Sequence, residues 1–144
     1  MIPEEVFSNY VREIFKVEEK LGLTLSFFEI PTIASFLYFA DQQVDIAMIE
    51  TGLGGIYDPT NIIDPLVSII TTVGEDHKDI LGHSLNEIAR NKAGIIKKNR
   101  PCVIGRDLPS QIFLDKSKEM DSDLYFEEPG RKISFSSHQN RILM

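Results

Sequence analysis

Four side chains that could serve a metal ion or a phosphate follow predicted strands or lie near a helix end. Glu50 closes the short apolar run 45–49, and the pair Asp76 and His77 follows the next apolar run. Lys92 lies near the end of the helix predicted after that. In open α/β sheets, ligands gather at the carboxyl ends of the strands. A carboxylate and a neutral imidazole suit a divalent cation, and a lysine could face phosphate or a modified oxygen.

Three of these residues also have a structural interpretation. Glu50 could cap the loop that follows it, and His77 could be a loop histidine whose hydrogen bonds are satisfied. Lys92 could be a solvated lysine on a helix surface. No one of the three defines a site by itself, so their order along the chain has to be considered together.

The glycine-rich loop at 52–55 matches neither of the best-known phosphate-binding patterns. The sequence continues as G-L-G-G-I-Y, so Tyr57 stands where G-x-G-x-x-G requires a third glycine. The pattern G-x-x-x-x-G-K-[ST] occurs nowhere in the 144 residues. The sequence therefore argues against a dinucleotide-binding fold and against a self-contained P-loop nucleotidase.

The composition is that of an ordinary globular domain. Of the 144 residues, 42% are hydrophobic and 26% are charged, and the length suits one domain. The net charge of −7 argues against nucleic acid and membrane surfaces as partners. It does not exclude ATP, since magnesium and backbone N–H groups can meet phosphates locally.

No apolar run approaches the roughly 20 residues that span a bilayer. Glu4 and Glu5 stand where a signal peptide would be basic, so we expect a cytoplasmic protein.

Segments in which apolar residues recur at helical spacing alternate along the chain with short apolar runs that are typical of strands. This alternation predicts an α/β fold with a mostly parallel sheet flanked by helices. Gly22 ends the first helix, and Ser84 with Glu87 three residues later is a capping signature for the third. The predicted helices cover 3–21, 29–43, 84–93 and 108–120, and the predicted strands cover 45–49, 66–72, 101–104 and 124–126.

The apolar content of these elements also predicts their burial. We expect the helix at 29–43 to be largely buried, the strand at 45–49 to be interior, and the strand at 66–72 to be covered on both faces.

Cys102 is the only cysteine, so no internal disulfide can form. No neighbour that would lower its pKa is visible, which favours a buried structural residue over a nucleophile. The polar stretch 128–144 is an uncertain tail.

The motifs, taken in order, resemble the folylpolyglutamate and dihydrofolate synthases of the Mur ligase family. The similarity covers about 25–105, and the order and spacing of the motifs make it specific, whereas one glycine run would be a weak match. The matching segments are S-F-F-E at 26–29, I-E-T-G-L-G-G at 49–55, D-P-T-N at 58–61, G-E-D-H at 74–77, I-L-G at 80–82 and N-K-A-G-I-I-K at 91–97.

This resemblance implies roles for the residues introduced above. Glu50 and His77 correspond to family residues that bind magnesium, which bridges the ATP phosphates. Lys92 corresponds to a lysine that is carbamylated, a change that converts a cation into a carboxylate-like anion able to support a second metal ion. Asp76 would orient His77 and fix its tautomer. His77 and Lys92 are the residues to which the resemblance gives catalytic roles.

The resemblance also implies contacts with the pteroate part of a substrate. Glu29 could instead cap a helix, and Asp58 could instead stabilise a turn. Thr51, Ile56 and Pro59 differ from the residues most common in the family, and the last two bear on preference at the pterin side. The implied contact residues are Ser26, Phe27, Phe28, Glu29, Tyr57, Asp58 and Pro59.

The implied reaction is the ATP-dependent ligation of L-glutamate to a folate or dihydropteroate carboxylate. The carboxylate attacks the γ-phosphate of ATP to give an acyl phosphate, and the glutamate amine then displaces phosphate. The family's phosphate loop lies before the matching segment and its glutamate-binding domain lies after it. We therefore expect 1–144 to be a partial central domain that is inactive alone. Two alternatives stay open: a non-catalytic module of the same fold, and another Mur-type ligase, against which S-F-F-E and D-P-T-N argue.

Overall fold

The computed structural model describes residues 1–106 and 108–127 and, beyond them, the backbone of two short strands. Contacts divide the chain into two compact units. The first unit contains Met1–Leu53 and Tyr57–Ile63, and the second unit contains Gly54–Ile56 and Asp64–Met144. No helix in the described part of the chain is long and apolar enough to cross a membrane.

Two long helices build the first unit. Helix α1 covers Glu4–Leu21 and helix α2 covers Glu29–Asp41. Gly22 ends α1 in the left-handed conformation with φ 63°, as predicted, and its N–H donates to the Glu19 carbonyl at 3.2 Å. The Tyr10 hydroxyl on α1 donates to the Asp41 carboxylate at the end of α2, and this hydrogen bond raises the pKa of Tyr10 to about 12.

Two burial predictions for the first unit are wrong. Helix α2 buries Thr32 and Ala34 but leaves Leu37 exposed, so it is only partly covered. The segment 45–49 is not a strand, and its side chains Ile46 and Met48 are 69% and 95% exposed. A strand needs a hydrogen-bonded neighbour, and none of the described strands pairs with this segment. The first unit therefore contains helices and loops, with a short 3₁₀ helix at Pro59–Ile62.

A parallel three-stranded sheet organises the second unit. Its strands are β1 (Ser68–Ile70), β2 (Cys102–Ile104) and β3 (Leu124–Phe126), in the order β1-β2-β3. Parallel strands require crossover connections. Helices α3 (Lys78–Leu81) and α4 (Leu85–Ala93) connect β1 to β2, and α5 (Ser110–Glu119) connects β2 to β3. Two short strands, β4 (Ser134–Phe135) and β5 (Ile142–Leu143), pair antiparallel. The predicted α/β class with a mostly parallel sheet is confirmed.

The sheet and two helices enclose the core of the second unit. Cys102 is fully buried, and burial raises the pKa of its thiol to about 12, which confirms the predicted structural role. Ile69 in the centre of β1 is 58% exposed, so the prediction that this strand is covered on both faces is wrong. Apart from β4 and β5, the tail expected at 128–144 lies outside the described residues. The buried core contains Ile70, Ala89, Ala93, Ile96, Cys102, Ile104 and Phe113.

Candidate functional site

Glu50 lines an open hollow of about 240 Å³ in the first unit. Helix α2 provides half of the ten lining residues, and Thr60 contributes from the 3₁₀ helix at Pro59–Ile62. The hydroxyls of Thr32 and Ser35 in this lining donate to helix carbonyls at 2.8 and 2.7 Å. Glu50 is the only charged residue among the described residues of the lining. Its exposed carboxylate makes no hydrogen bond or ion pair with any described residue, so it is available to a ligand. The described lining contains Phe28, Pro31, Thr32, Ser35, Phe36, Phe39, Met48, Ile49, Glu50 and Thr60.

Asp58 fixes the loop that follows Glu50. Its side chain is 6% exposed and accepts hydrogen bonds from the backbone N–H groups of Leu53 at 2.8 Å and Thr60 at 2.9 Å. The Thr60 hydroxyl donates to the same carboxylate. These bonds cap the 3₁₀ helix at Pro59–Ile62, which is the turn-stabilising role left open by the sequence. A contact of Asp58 with a pteroate stays a prediction.

Glu29 and Ser26 form a reciprocal pair at the start of α2. The Glu29 carboxylate accepts from the Ser26 N–H at 2.6 Å, and the Ser26 hydroxyl accepts from the Glu29 N–H at 3.3 Å. These hydrogen bonds lower the pKa of the Glu29 carboxyl. The two bonds have the reciprocal pattern of a capping box but join Ser26, in the turn before α2, to the first residue of the helix, so both residues of the S-F-F-E motif that carry polar side chains have a local structural role.

The aromatic residues of the predicted pteroate contacts are exposed in the first unit. Phe27 and Tyr57 are 90% and 89% exposed, and Phe28 is 41% exposed. Pro59 is half-buried at the first position of the 3₁₀ helix. Exposed aromatic faces are suited to stacking with a planar ring.

The D-H motif lies in the second unit, at the start of α3. His77 has φ 50°, a left-handed conformation that is unusual for a residue other than glycine. The Asp76 carboxylate accepts from the His77 backbone N–H at 2.8 Å, and its other oxygen lies 3.7 Å from ring atom Nε2. The second distance is too long for a hydrogen bond. Asp76 therefore fixes the backbone of His77, and the His77 side chain is 56% exposed.

Lys92 lies in the last turn of α4, as the sequence predicted. The helix starts with the predicted capping box of Ser84 and Glu87. The Lys92 side chain is half-buried and has no ion-pair partner among the described residues. Its carbonyl accepts from the Ile95 N–H at 3.2 Å.

The predicted site residues are divided between the units. His77, Asp76 and Lys92 lie in the second unit, and Glu50 lies with the predicted pteroate contacts in the first. Within the described part of the chain, no group of three or more His, Cys, Asp or Glu could hold a metal ion. Thr60, which binds Asp58 and lines the same hollow as Glu50, was not predicted as a site residue from the sequence. Its position in the D-P-T-N segment is the signal that could have revealed it.

Comparison with known proteins assigns the chain to a family. Residues 8–139 match the family described as the Mur ligase middle domain. Because this match spans far more than half of the sequence, the chain belongs to the Mur ligase middle-domain family, as the ordered motifs predicted.

Individual relatives are folate-related synthases by name. The chain is 49% identical over 86 residues to a dihydrofolate synthase/folylpolyglutamate synthase of Bacillus subtilis (strain 168), covering 59% of the chain and 20% of that protein. It is 41% identical over 113 residues to the folylpolyglutamate synthase of Lacticaseibacillus casei, covering 75% of the chain and 26% of that protein.

A solved structure shares the fold. The structure described as E. coli FolC in complex with DHPP and ADP matches with a TM-score of 0.83 at 31% identity, over 95% of this chain and 33% of that one. The chain thus spans between 20% and 33% of the length of these three proteins.

Proposed function

We propose that the chain is the middle-domain part of a ligase that joins L-glutamate to a folate or dihydropteroate carboxylate with ATP. The observation that supports this most directly is the match, with a TM-score of 0.83, to a structure that holds DHPP and ADP. The S-F-F-E, G-L-G-G and D-H motifs support the same assignment. In a complete enzyme the phosphate loop and the glutamate-binding domain would be supplied by other parts of the protein.

Glu50 and His77 are the residues that would hold Mg²⁺. The carboxylate is an ordinary ligand for Mg²⁺ and the imidazole is a borderline one, and both side chains are exposed. Mg²⁺ bound there would stabilise the negative charge that develops on the transferred phosphoryl group. Asp76 would keep the His77 backbone in place while the imidazole binds.

Lys92 would act after modification by CO₂. The neutral amine adds to the carbon of CO₂, so that an N–C bond forms and one C=O electron pair moves onto oxygen. An N–H proton leaves to water, and an anionic carbamate remains. Among the described residues no carboxylate forms an ion pair with Lys92, so none competes with or repels that new charge at ion-pair distance.

The exposed rings of Phe27 and Tyr57 would stack against the pterin, and Phe28 and Pro59 would add apolar contact. Ser26, Glu29 and Asp58 would hold the two segments that carry these rings, through the hydrogen bonds described above. These residues would position the substrate carboxylate for attack on ATP, since positioning can contribute several kcal/mol to catalysis.

A chimera tests this assignment. The 113-residue segment of the L. casei enzyme that aligns with this chain would be replaced by the corresponding part of this chain. We expect the chimera to incorporate labelled glutamate into a folate or dihydropteroate acceptor, and we expect the isolated chain to release no pterin-dependent phosphate. A chimera that folds but shows no acceptor-dependent incorporation would favour a non-catalytic module.

Metal binding in the same chimera tests the role of Glu50. We expect Glu50→Gln to weaken Mn²⁺ binding by at least about tenfold, because the neutral amide loses the charge that a hard cation prefers. Glu19→Gln is the matched control, since Glu19 is an exposed glutamate at the end of α1. Binding followed by water proton relaxation should be unchanged in the control. Equal affinities in wild type and Glu50→Gln would remove Glu50 from the metal site.

A further inference from the structure

Part of the glycine loop contacts the C-terminal turn of α4, and both belong to the second unit. The Ile56 N–H donates to the Asn91 carbonyl at 3.2 Å. A Cβ atom at Gly55 would lie 2.8 Å from the Asn91 carbonyl oxygen and 3.0 Å from the Lys92 carbonyl oxygen. A Cβ atom essentially never lies closer than 3.0 Å to a backbone oxygen, so this approach of loop and helix requires glycine at position 55.

Gly94 closes the same contact from the helix side. A Cβ atom at Gly94 would lie 2.2 Å from Ile56 Cγ1 and 2.9 Å from Ile56 Cα. Its φ of −62° is an ordinary helical value, so glycine is needed here for space and not for backbone conformation. Gly55, Ile56 and Gly94 thus form one close contact, which we call the glycine contact.

Lys92 lies inside the turn that the glycine contact holds. The Asn91 carbonyl accepts from Ile56 in the loop and from the Gly94 N–H at 3.1 Å, so loop and helix end share one acceptor. A lysine side chain has several rotatable bonds, and ordering its amine has an entropic cost. A fixed backbone and the partial burial of Lys92 lower that cost by restricting the side chain before any ligand binds.

We propose that the glycine contact positions the Lys92 amine, so that Gly55, Ile56 and Gly94 are positioning residues for this lysine. The proposal rests on the proposed function, which gives Lys92 its role. The proposal thereby gives the G-L-G-G motif, which follows Glu50 in the sequence, a structural role. Its loop fixes the backbone that carries Lys92.

NMR of the chain labelled with [ε-¹³C]lysine tests the proposal directly. The Lys92 resonance is assigned by its loss in Lys92→Arg. We expect Gly55→Ala and Gly94→Ala to shift or broaden this resonance. Gly105→Ala is the matched control, because a Cβ atom there would lie 2.1 Å from the Thr71 carbonyl oxygen and would strain a different contact of the same unit. We expect the control to leave the Lys92 resonance in place.

A second pair of variants keeps the test valid where Gly94→Ala does not fold. Ile56→Ala keeps the N–H that binds Asn91 but removes Cγ1, the atom nearest to a Cβ at position 94. Ile56→Ala alone should move the Lys92 resonance, and combining it with Gly94→Ala should restore folding in part. A Lys92 resonance that is unmoved in Gly55→Ala and Ile56→Ala would overturn the proposal, as would an equal change in Gly105→Ala.

Addition of ¹³C-bicarbonate to the same samples separates this proposal from the proposed function. If Lys92 is carbamylated, the wild type should give a carbamate signal that is absent in Lys92→Arg, largely lost in Gly55→Ala and retained in Gly105→Ala. A wild type without this signal would contradict the carbamylation of Lys92. The lysine resonances would still decide whether the glycine contact positions the amine.

Discussion

The two units differ in how they use their apolar residues. The second unit encloses a continuous core in which Phe113, Ile96, Cys102 and Ile104 are at most 1% exposed. The first unit fully buries few apolar side chains and leaves Phe27 among those that are almost completely exposed. Buried apolar surface supplies most of the free energy of folding. The second unit therefore has the larger source of stability, and the first unit has the larger surface available for ligands.

This difference bears on the division of the proposed site. The predicted pteroate contacts and Glu50 lie in the unit with the smaller core, whereas His77 and Lys92 lie in the unit with the parallel sheet. Ligand-binding segments are commonly among the less stable parts of a protein, because their surfaces are kept free for the ligand. We expect substrate binding to stabilise the first unit more than the second.

The largest expected effect comes from removing a buried ring in the second unit, and removal of an exposed ring in the first unit is the comparison. Phe113→Ala should lower the free energy of unfolding of the second unit by about 3–5 kcal/mol, because the ring is fully buried in the core. Phe27→Ala should change the free energy of unfolding of the first unit by less than about 0.5 kcal/mol, because that ring is 90% exposed. Urea unfolding followed by amide NMR signals from each unit measures both. A similar loss in the two variants would contradict the difference between the units.

A smaller effect is expected at the loop after Glu50. Asp58→Ala should lower the stability of the first unit by about 1–3 kcal/mol, because three donors lose a buried acceptor. The control is Asp45→Ala, since Asp45 is exposed and has no hydrogen bond to a described residue. Loss of amide protection at Leu53 and Thr60 would show that the loop itself has opened. Full protection at both amides in Asp58→Ala would show that other contacts hold the loop.

Local signals predicted the fold well where a residue acts on its own neighbours. Gly22 ends α1, and Ser84 with Glu87 starts α4, because caps depend on residues within a few positions of each other. Helix α3 was missed because its four residues are too few to show a period. The segment 45–49 was predicted as a strand because its composition fits one, but pairing depends on a partner that composition does not specify.

The candidate site shows the same limit. The order of the motifs led to Glu50, His77 and Lys92, but it could not show which of them share a compact unit. The approach of Gly55 to Asn91 joins positions far apart in the sequence, so no local pattern indicates it. The capping role of Glu29 was foreseen as an alternative, because Ser26 stands three residues before it.

The smallest expected effect is a dependence of two helix starts on pH. Hydrogen bonds from Ser26 lower the pKa of the Glu29 carboxyl at the start of α2, and bonds from Ser84 and His83 lower that of Glu87 at the start of α4. A carboxyl with a lowered folded-state pKa stabilises the fold above its ordinary value of 4.5, and this contribution is lost as pH falls through the folded-state pKa.

Both helices should therefore lose stability on acidification below pH 4.5, with α2 losing amide protection first because the first unit has less core to hold it. Glu29→Gln and Glu87→Gln keep an oxygen acceptor but remove the titrating group, so each should flatten the pH dependence of its own helix only. Glu19→Gln is the control for charge removal on an exposed helix surface. Equal acid sensitivity of α2 and α4 would mean that each capping box, and not the core beneath it, sets the stability of its helix start.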